Sequence, residues 1–283
     1  MRHVTVRVKQ DEMNLYTMND VQVGGMGVDL KGFSDYVEDA SLDPIGRVLG
    51  LGDYTDSLSP SNRAAIKAAE ISGNWYDVGQ QMLHDAAQVH VSEFLEAVSS
   101  LRGAKKVDGM LKGHHFFSYD RPFGNYAQRE IRTTDMDIAE ALGAPYLDDP
   151  SDKKQMTMFT YRFPKRKVLR VLAMHGEGSG ASLASPLSKL EKLRANFQAD
   201  IYMTAHHHKL FATRTVLLRE DPSSPTKLQS QDALMVACGS WMRGYVENEA
   251  TYAEAGIMAP LALGAPVLNI KSTPKGFKLK GTI

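Results

Sequence analysis

The feature that most constrains this chain is a pattern that occurs five times: a short apolar run stops at a small or polar residue beside an aspartate or a histidine. Each run has the length of a β-strand. Ligand sites in α/β sheets collect at the carboxyl ends of the strands. We therefore expect the five polar ends to meet in one cluster. The runs end at Asn19-Asp20, Gly52-Asp53, Gly113-His114, His175-Gly176 and Ala205-His206.

Helical patterns lie between these runs. Residues 77–101 carry apolar side chains at helical spacing, and Ser185-Pro186 is typical of the start of a helix that ends near Phe197. Strands that alternate with helices indicate an α/β architecture. The apolar positions of the longer helix are Val78, Met82, Ala86 and Val89, and after a phase shift Phe94, Leu95 and Val98.

The length of 283 residues and a hydrophobic content of 43% are sufficient for a single domain spanning residues 1–283. Within it, residues 135–170 contain prolines, paired aspartates and a basic run, and we predict that they form a cap or excursion over the site. Residues 219–230 are polar and proline-bearing, which predicts a hairpin loop. The basic tail, residues 271–283, predicts an edge strand.

Charge and cysteine content exclude several classes of protein. Lys and Arg number 33 and Asp and Glu number 33, so there is no overall attraction to nucleic acid or to an anionic membrane. The one cysteine, Cys238, excludes an internal disulfide framework and a cysteine-based zinc site, and its apolar surroundings predict a buried thiol. No apolar run approaches the roughly 20 residues of a spanning helix. With no secretory signal visible, we expect a cytoplasmic protein.

Histidine is the residue whose placement points to metal chemistry. The chain has nine histidines, and six of them fall at three predicted strand ends. Imidazole and carboxylate together suit Zn, Mn and Fe. An aspartate shared between several histidines can hold two metals roughly 3.5–4 Å apart. Each motif alone has an ordinary structural explanation, such as a turn aspartate or a surface histidine tract. The order of all five together favours a metal site, whereas His3, His84 and His90 are ordinary structural residues.

These motifs give the chain a family resemblance over about residues 13–215. The ordered blocks Asp20-Val21-Gln22, Gly52-Asp53-Tyr54-Thr55-Asp56, Gly113-His114-His115, His175-Gly176 and Ala205-His206-His207-His208 resemble those of the calcineurin-like metallophosphoesterases. The resemblance implies an α/β sandwich of two packed mixed β-sheets flanked by helices. It also implies hydrolysis of phosphoesters by a hydroxide that bridges two divalent metal ions.

The resemblance implies two metal sites that share Asp53. One ion takes Asp20, Asp53 and His208, with Gln22 where the family has a histidine. The second ion takes Asp53, His114, His175 and His206. His115 stands at the position of the family's catalytic histidine, and Asp56 is placed to orient it.

Two departures from the family motifs affect the choice of metal. Gln22 replaces an imidazole with a weaker, harder amide oxygen, which weakens the first site and favours Mn or Mg over Zn. His114 replaces an asparagine oxygen with imidazole, which tightens the second site. We therefore expect one firmly held and one exchangeable ion, with Mn favoured and Fe, Zn or Mg as alternatives.

The substrate is less constrained than the chemistry, because a fold does not choose its substrate. Residues 239–266 resemble phosphoesterases encoded by phages and bacteria, which favours a phosphodiester and nucleic acid, DNA or RNA, in a host cytoplasm. Basic segments and the aromatic residues at 116–126 would suit the binding of single-stranded nucleic acid. They are equally typical of a solvated basic face and an ordinary packed loop. Arg243 is a candidate phosphate contact or a structural ion pair. The alternatives are a phosphomonoesterase and a non-catalytic phosphate- or nucleic-acid-binding protein, and a homodimer is an expectation from the relatives.

Overall fold

The computed structural model describes residues 1–57, 74–123, 128–148, 156–178, 182–221, 224–247 and 261–283. Within them the chain forms thirteen strands and four α-helices. The strands are β1 (Arg2–Arg7), β2 (Glu12–Met18), β3 (Gly46–Gly50), β4 (Val107–Met110), β5 (Ser118–Phe123), β6 (Gln128–Thr133), β7 (Met156–Arg162), β8 (Val168–Met174), β9 (Ile201–Thr204), β10 (Leu210–Asp221), β11 (Ser224–Cys238), β12 (Val267–Thr273) and β13 (Gly276–Thr282). The helices are α1 (Leu30–Leu42), α2 (Asn74–Ala97), α3 (Thr134–Leu142) and α4 (Ala184–Asn196).

Two mixed sheets form the centre of the fold, as expected. One has the strand order β1-β7-β8-β9-β11-β10 and the other β13-β12-β2-β3-β4, while β5 and β6 form a separate hairpin. Parallel pairs β2–β3 and β3–β4 in one sheet, and β8–β9 in the other, give both sheets strands whose carboxyl ends point the same way. Loops from both sheets can therefore converge at one end.

Three apolar clusters hold the layers together. The largest lies between the sheets and includes Leu15 and Leu49 from one sheet and Phe159 and Val171 from the other. A second packs α1, α2 and α3 on the outer face of the five-stranded sheet. A third packs α4 on the six-stranded sheet through Leu190. Each sheet is thus covered on both faces, the arrangement that the near-continuous apolar runs in the sequence indicate.

The predicted cap at residues 135–170 is wrong for the described part of that stretch. Helix α3 packs into the core, and β7 is an interior strand of the six-stranded sheet, paired with β1 and β8. Strand β7 was hard to recognise because Phe159 and Met158 are buried on opposite faces, so the sequence lacks a two-residue alternation. Residues 149–155, including Asp149 and Pro150, lie outside the described residues.

Several local predictions met different outcomes. The hairpin predicted at residues 219–230 exists, but its polar sequence is mostly strand, because β10 and β11 pair with each other as far as Asp221 and Ser224. The tail forms β13 at the edge of the five-stranded sheet, as expected.

Helix α4 begins at Ala184, with Leu183 rather than Ser185 as its N-cap. Cys238 is buried, and burial raises the pKa of its thiol.

None of the helices in the described ranges is long and apolar enough to cross a membrane.

Candidate metal centre

Four of the predicted ligands form one compact group. One ligand atom from each of Asp53, His114, His175 and His206 lies within 4.8 Å of all the others. Asp53 follows β3 and His114 follows β4, whereas His175 and His206 follow β8 and β9 of the other sheet. The group could hold a metal ion, and it is assembled from both sheets.

Asp53 is buried and is held by the chain that follows β4. Its Oδ1 accepts hydrogen bonds from the backbone N–H groups of His114 and His115, the latter at 3.0 Å. Burial raises the pKa of the Asp53 carboxyl, but the charge on His175 and these hydrogen bonds outweigh burial and hold that pKa well below its ordinary value. Asp53 is therefore an anion at neutral pH.

The contact between His175 and Asp53 tests whether the site suits a cation. His175 Nδ1 donates to the carbonyl oxygen of Leu51 at 2.6 Å, which leaves Nε2 to face Asp53 Oδ2 at 3.1 Å. These two buried atoms have no other hydrogen-bond partner in the part of the chain that the structure describes. Burial lowers the pKa of His175 and Asp53 raises it, for a result of about 9, so a bound ion would displace a proton here. The donor set fits a divalent metal.

His114 and His206 complete this group as neutral imidazoles. Their Nδ1 atoms are 3.3 Å apart. Burial, followed by repulsion from His175, lowers the pKa of His114 and of His206 to about 4. Neutral imidazole is the form that binds metal, so no proton competes for these two ligands at neutral pH.

The residues predicted for the other ion contact one another and the compact group. His208 Nε2 is 3.4 Å from Asp20 Oδ1, and Asp20 Oδ2 accepts from the backbone N–H of His206 at 2.9 Å. Burial raises the pKa of Asp20 and the hydrogen bond from His208 lowers it, with a net decrease. Gln22 is buried, and its backbone N–H donates to the carbonyl of Asp53 at 3.0 Å. The fold thus brings the four residues predicted for this ion close together: Asp20, Gln22, Asp53 and His208.

An unusual backbone accompanies the site. Eight non-glycine residues in the described ranges have positive φ, and five of them are predicted ligands. L-residues pay roughly 1–2 kcal/mol to enter this left-handed region. Strain of this kind persists where the surrounding structure enforces it, and it clusters at functional sites. The five residues, with φ between 45° and 69°, are Asp20, Gln22, Asp53, His206 and His208.

His115 and Asp56 form the predicted pair beside the ligands. His115 Nδ1 lies 2.9 Å from Asp56 Oδ1, and its Nε2 lies 4.0 Å from Asp53 Oδ2. Burial lowers the pKa of His115, but the hydrogen bond to Asp56 and the charge of Asp53 raise it above the ordinary value. His115 is 24% exposed at its side chain, so it can meet a substrate as a proton donor.

His207, which has no role in the predicted metal sites, and Arg243, the candidate phosphate contact, both form polar contacts outside the ligand group. The His207 ring also packs against the ring of the ligand His206, with centroids 5.3 Å apart. His207 Nδ1 contacts the carbonyl oxygen of Ala205 at 3.1 Å, and its Nε2 lies 2.9 Å from Lys189 Nζ, so the ring is turned toward α4. Arg243 donates to Asp29 at 3.0 Å, which is the structural ion pair that the sequence left open as an alternative.

Sequence reasoning missed Asp135, a buried residue in the first turn of α3. Its Oδ2 accepts the backbone N–H of Gly113 at 3.0 Å, beside His114. Asn19 was also missed as a support: its Nδ2 donates to Asp20 Oδ2 at 3.1 Å. Asn19 adjoins a ligand and could have been suspected, whereas Asp135 stands in no motif.

The chain is similar, at about 10% identity, to several solved structures. A conserved uncharacterized protein from Streptococcus pneumoniae, described as a predicted phosphoesterase, is 10% identical, covers 96% of this chain and 98% of its own, and has a TM-score of 0.33. Vps29 from Entamoeba histolytica, complexed with Zn²⁺, is 9% identical over 95% of this chain and 98% of its own, with a TM-score of 0.33. The calcineurin-like phosphoesterase YfkN from Bacillus subtilis is 10% identical over 96% and 90%, with a TM-score of 0.26.

No family model and no curated protein matches the sequence. The chain's own sheets and side chains define its class: an α/β sandwich of two mixed sheets with a histidine–aspartate group that could bind metal at the strand ends.

Proposed function

We propose that this chain is a metal-dependent phosphoester hydrolase that prefers phosphodiesters. The observation that carries the proposal is the convergence of Asp53, His114, His175 and His206 from both sheets into one compact group, with Asp20 and His208 beside it. A carboxylate flanked by imidazoles on both sides suits a pair of divalent ions that share it.

The ligands divide into two sets around Asp53. We assign His114, His175 and His206 with Asp53 to the firmly held ion. We assign Asp20, His208 and Gln22 to the exchangeable ion, for which Mn is favoured and Fe, Zn or Mg are alternatives. When bound, the ions would supply Lewis-acid activation of water and of the phosphoryl oxygens.

The chain's own residues supply proton transfer and orientation. His115 stands at the rim of the ligand group with a raised pKa, so it can donate a hydrogen bond to a phosphoryl oxygen or a proton to the leaving oxygen. Asp56 holds its Nδ1 at 2.9 Å and thereby directs Nε2 toward the side of Asp53. Asp56 is thus a positioning residue for His115.

The preference for diesters, and for DNA or RNA among them, is supported by the resemblance to phage and bacterial phosphoesterases rather than by a contact in the site. Among the predicted substrate residues, Arg243 is held by Asp29 and is half exposed, which makes it a weak candidate for binding phosphate. Residues 248–260, on which part of that resemblance depends, lie outside the described residues.

A non-catalytic phosphate-binding protein is the second candidate, and Gln22 favours it. An amide in place of an imidazole weakens the set around Asp20, so a chain with one firm ion could bind a phosphate without turning it over. A phosphomonoesterase is the third reading and differs only in substrate.

The test is hydrolysis of bis-p-nitrophenyl phosphate by metal-stripped protein, with Mn added back. We expect Mn to restore turnover and His115→Ala to lower kcat by about 100-fold or more, the usual contribution of a general acid. The matched control is His207→Ala, because His207 stands between the predicted ligands His206 and His208 in the sequence, but its Nε2 faces Lys189. We expect it to retain most of the activity.

The outcomes separate the candidates. Turnover of the mono-ester p-nitrophenyl phosphate alone would indicate a monoesterase. Binding of Mn without turnover of either ester would favour the binding protein. Activity that survives thorough chelation would contradict a metal-dependent mechanism.

A further inference from the structure

A second cleft lies at the opposite end of the six-stranded sheet from the metal ligands. It has a volume of about 420 Å³ and is formed by the ends of β1 and β7, the start of β8 and the turn between β7 and β8. Strand β8 runs from this cleft to His175, and its seven residues span roughly 20 Å. The cleft is therefore separate from the metal centre.

The cleft is lined by cations and apolar groups only. Its charged residues are Arg7, Arg162, Arg166 and Lys167, and no acidic side chain lines it. Lys167 already has a hydrogen-bond partner, because its Nζ donates to the carbonyl oxygen of Thr273. Within the described ranges, no ion pair joins any of the three arginines to an acidic side chain. A chain with zero net charge thus concentrates unpaired positive charge here.

Two of these arginines are direct neighbours in the sheet. Arg7 and Arg162 are register partners in the parallel pair of β1 and β7, and both are exposed. Like charges placed directly opposite each other destabilise a sheet. An anion between the two guanidinium groups would turn this repulsion into attraction, and each planar fork matches the oxygens of a phosphate.

The turn that completes the cleft is also unfavourable for its residues. Lys165 and Arg166 connect β7 to β8 with φ of 56° and 61°. Tight hairpin turns with two left-handed residues strongly favour Asn-Gly. Here two basic residues occupy those positions, and strain in the backbone is a reason to look for function. Only Arg166 of the two lines the cleft.

We propose that this cleft is a binding site for a phosphate-bearing anion, held by Arg7, Arg162 and Arg166. Its volume falls within the range of about 300–1,000 Å³ that small-molecule sites occupy. The phosphate groups can belong to a free polyphosphate or to the backbone of a nucleic acid. The site does not depend on the hydrolase activity, because none of its residues contacts the metal ligands.

The test measures binding to metal-free, full-length protein by calorimetry, with inorganic pyrophosphate as the first probe and a mixed-sequence single-stranded oligonucleotide as its competitor. The decisive variants are Arg166→Gly and Lys165→Gly. Each variant removes one positive charge and places glycine at a position with positive φ, where glycine is not strained. Each should therefore raise the melting temperature. We expect Arg166→Gly and Arg162→Gln to weaken pyrophosphate binding about tenfold. Lys165→Gly should leave it within about twofold of the wild type.

The competitor distinguishes the two sources of phosphate. Displacement of pyrophosphate by the oligonucleotide, with an affinity that falls steeply as salt rises, would identify a nucleic-acid backbone as the ligand. Pyrophosphate binding that the oligonucleotide leaves unchanged would identify a small polyphosphate. The proposal is overturned if the wild type binds neither probe, or if Lys165→Gly and Arg166→Gly weaken binding equally.

Discussion

Among single residues, Gly113 controls how closely the loop after β4 approaches the metal ligands. A Cβ at this position would lie 2.1 Å from the backbone nitrogen of Asp53 and 2.2 Å from its Oδ1. We expect Gly113→Ala to lower the free energy of unfolding by about 2–3 kcal/mol through overpacking, measured by urea denaturation. Gly103→Ala is the control: it has φ of 73° but open space around it, and should cost only about 1 kcal/mol. Equal losses would show that steric contact is not the cause.

Asp135 gives a prediction about pH. Burial, as the largest cause, raises the pKa of its carboxyl from 3.8 to about 7. The folded protein then holds a proton that the unfolded chain has released. Stability contributed by this residue is complete below pH 3.8 and is lost as the pH rises through about 7. Metal-free wild type should therefore lose stability relative to Asp135→Asn across that window, followed by thermal unfolding at several pH values. A difference that is constant with pH would contradict the raised pKa.

At this scale the sequence predicts chemistry better than geometry. The pairing of Asp56 with His115 is what the family resemblance implies, and the closeness of the His175 and His206 side chains follows from the positions of the strand ends. The left-handed conformations of Asp20 and Asp53 could not be predicted, because aspartate enters this region more often than most residues but in most positions does not adopt it. The role of Asp135 could not be predicted, because its contact with Gly113 spans 22 residues and joins a side chain to a backbone amide.

Among the elements, α2 shows how periodicity can identify a helix and still misplace its buried face. The sequence pattern placed Met82, Ala86 and Val89 on the apolar side, but Met82 is 68% exposed and Val89 is 55% exposed. Among the side chains of this helix that the structure describes, Ala87 and Val91 are buried instead. After the predicted phase shift, Phe94 and, just beyond the end of the helix, Val98 are buried as expected. Apolar residues lie on both sides of this helix, so spacing alone could not choose between them.

The buried face of α2 makes a direct prediction. Phe94 is fully buried, with its ring 5.6 Å from that of Phe33 and 5.5 Å from that of Tyr54. Phe94→Ala should destabilise the protein by about 3–5 kcal/mol, whereas Met82→Ala should change stability by less than about 0.5 kcal/mol. Urea denaturation of the two variants measures both. A large loss for Met82→Ala would mean that its face of the helix is covered.

For the whole molecule, the five strands that end at ligands and two of the four described helices were predictable, and the pairing of the sheets was not. Five strand ends with ligands indicated an α/β fold and a site at one edge. The parallel pairing of β1 with β7 joins residues more than 150 positions apart, and no local pattern encodes that partner. The family resemblance supplied the two-sheet arrangement, which the strand order confirms.

Because the ligands come from both sheets, metal binding should stabilise the entire fold. Asp53 and His114 follow strands of one sheet, and His175 and His206 follow strands of the other. An ion that binds only the folded state adds about 2.7 kcal/mol at a concentration of 100 times Kd. We expect Mn or Zn to raise the melting temperature of chelator-treated protein, and His206→Ala to reduce that rise. An unchanged melting temperature with metal would argue against a site that spans both sheets.

The long hairpin of β10 and β11 extends beyond the six-stranded sheet, because β11 pairs with β9 only from Leu234 to Ala237. Its outer part is a two-stranded ribbon, and Leu218 and Leu228 on it are exposed. Ribbons of two strands are marginally stable in water. The ribbon should therefore open and close as a local unit, at a lower free energy than unfolding of the sheets. The chain thus combines a rigid set of ligands, fixed from two sides, with a separately fluctuating arm at the outer end of the hairpin whose first strand begins two residues after His208.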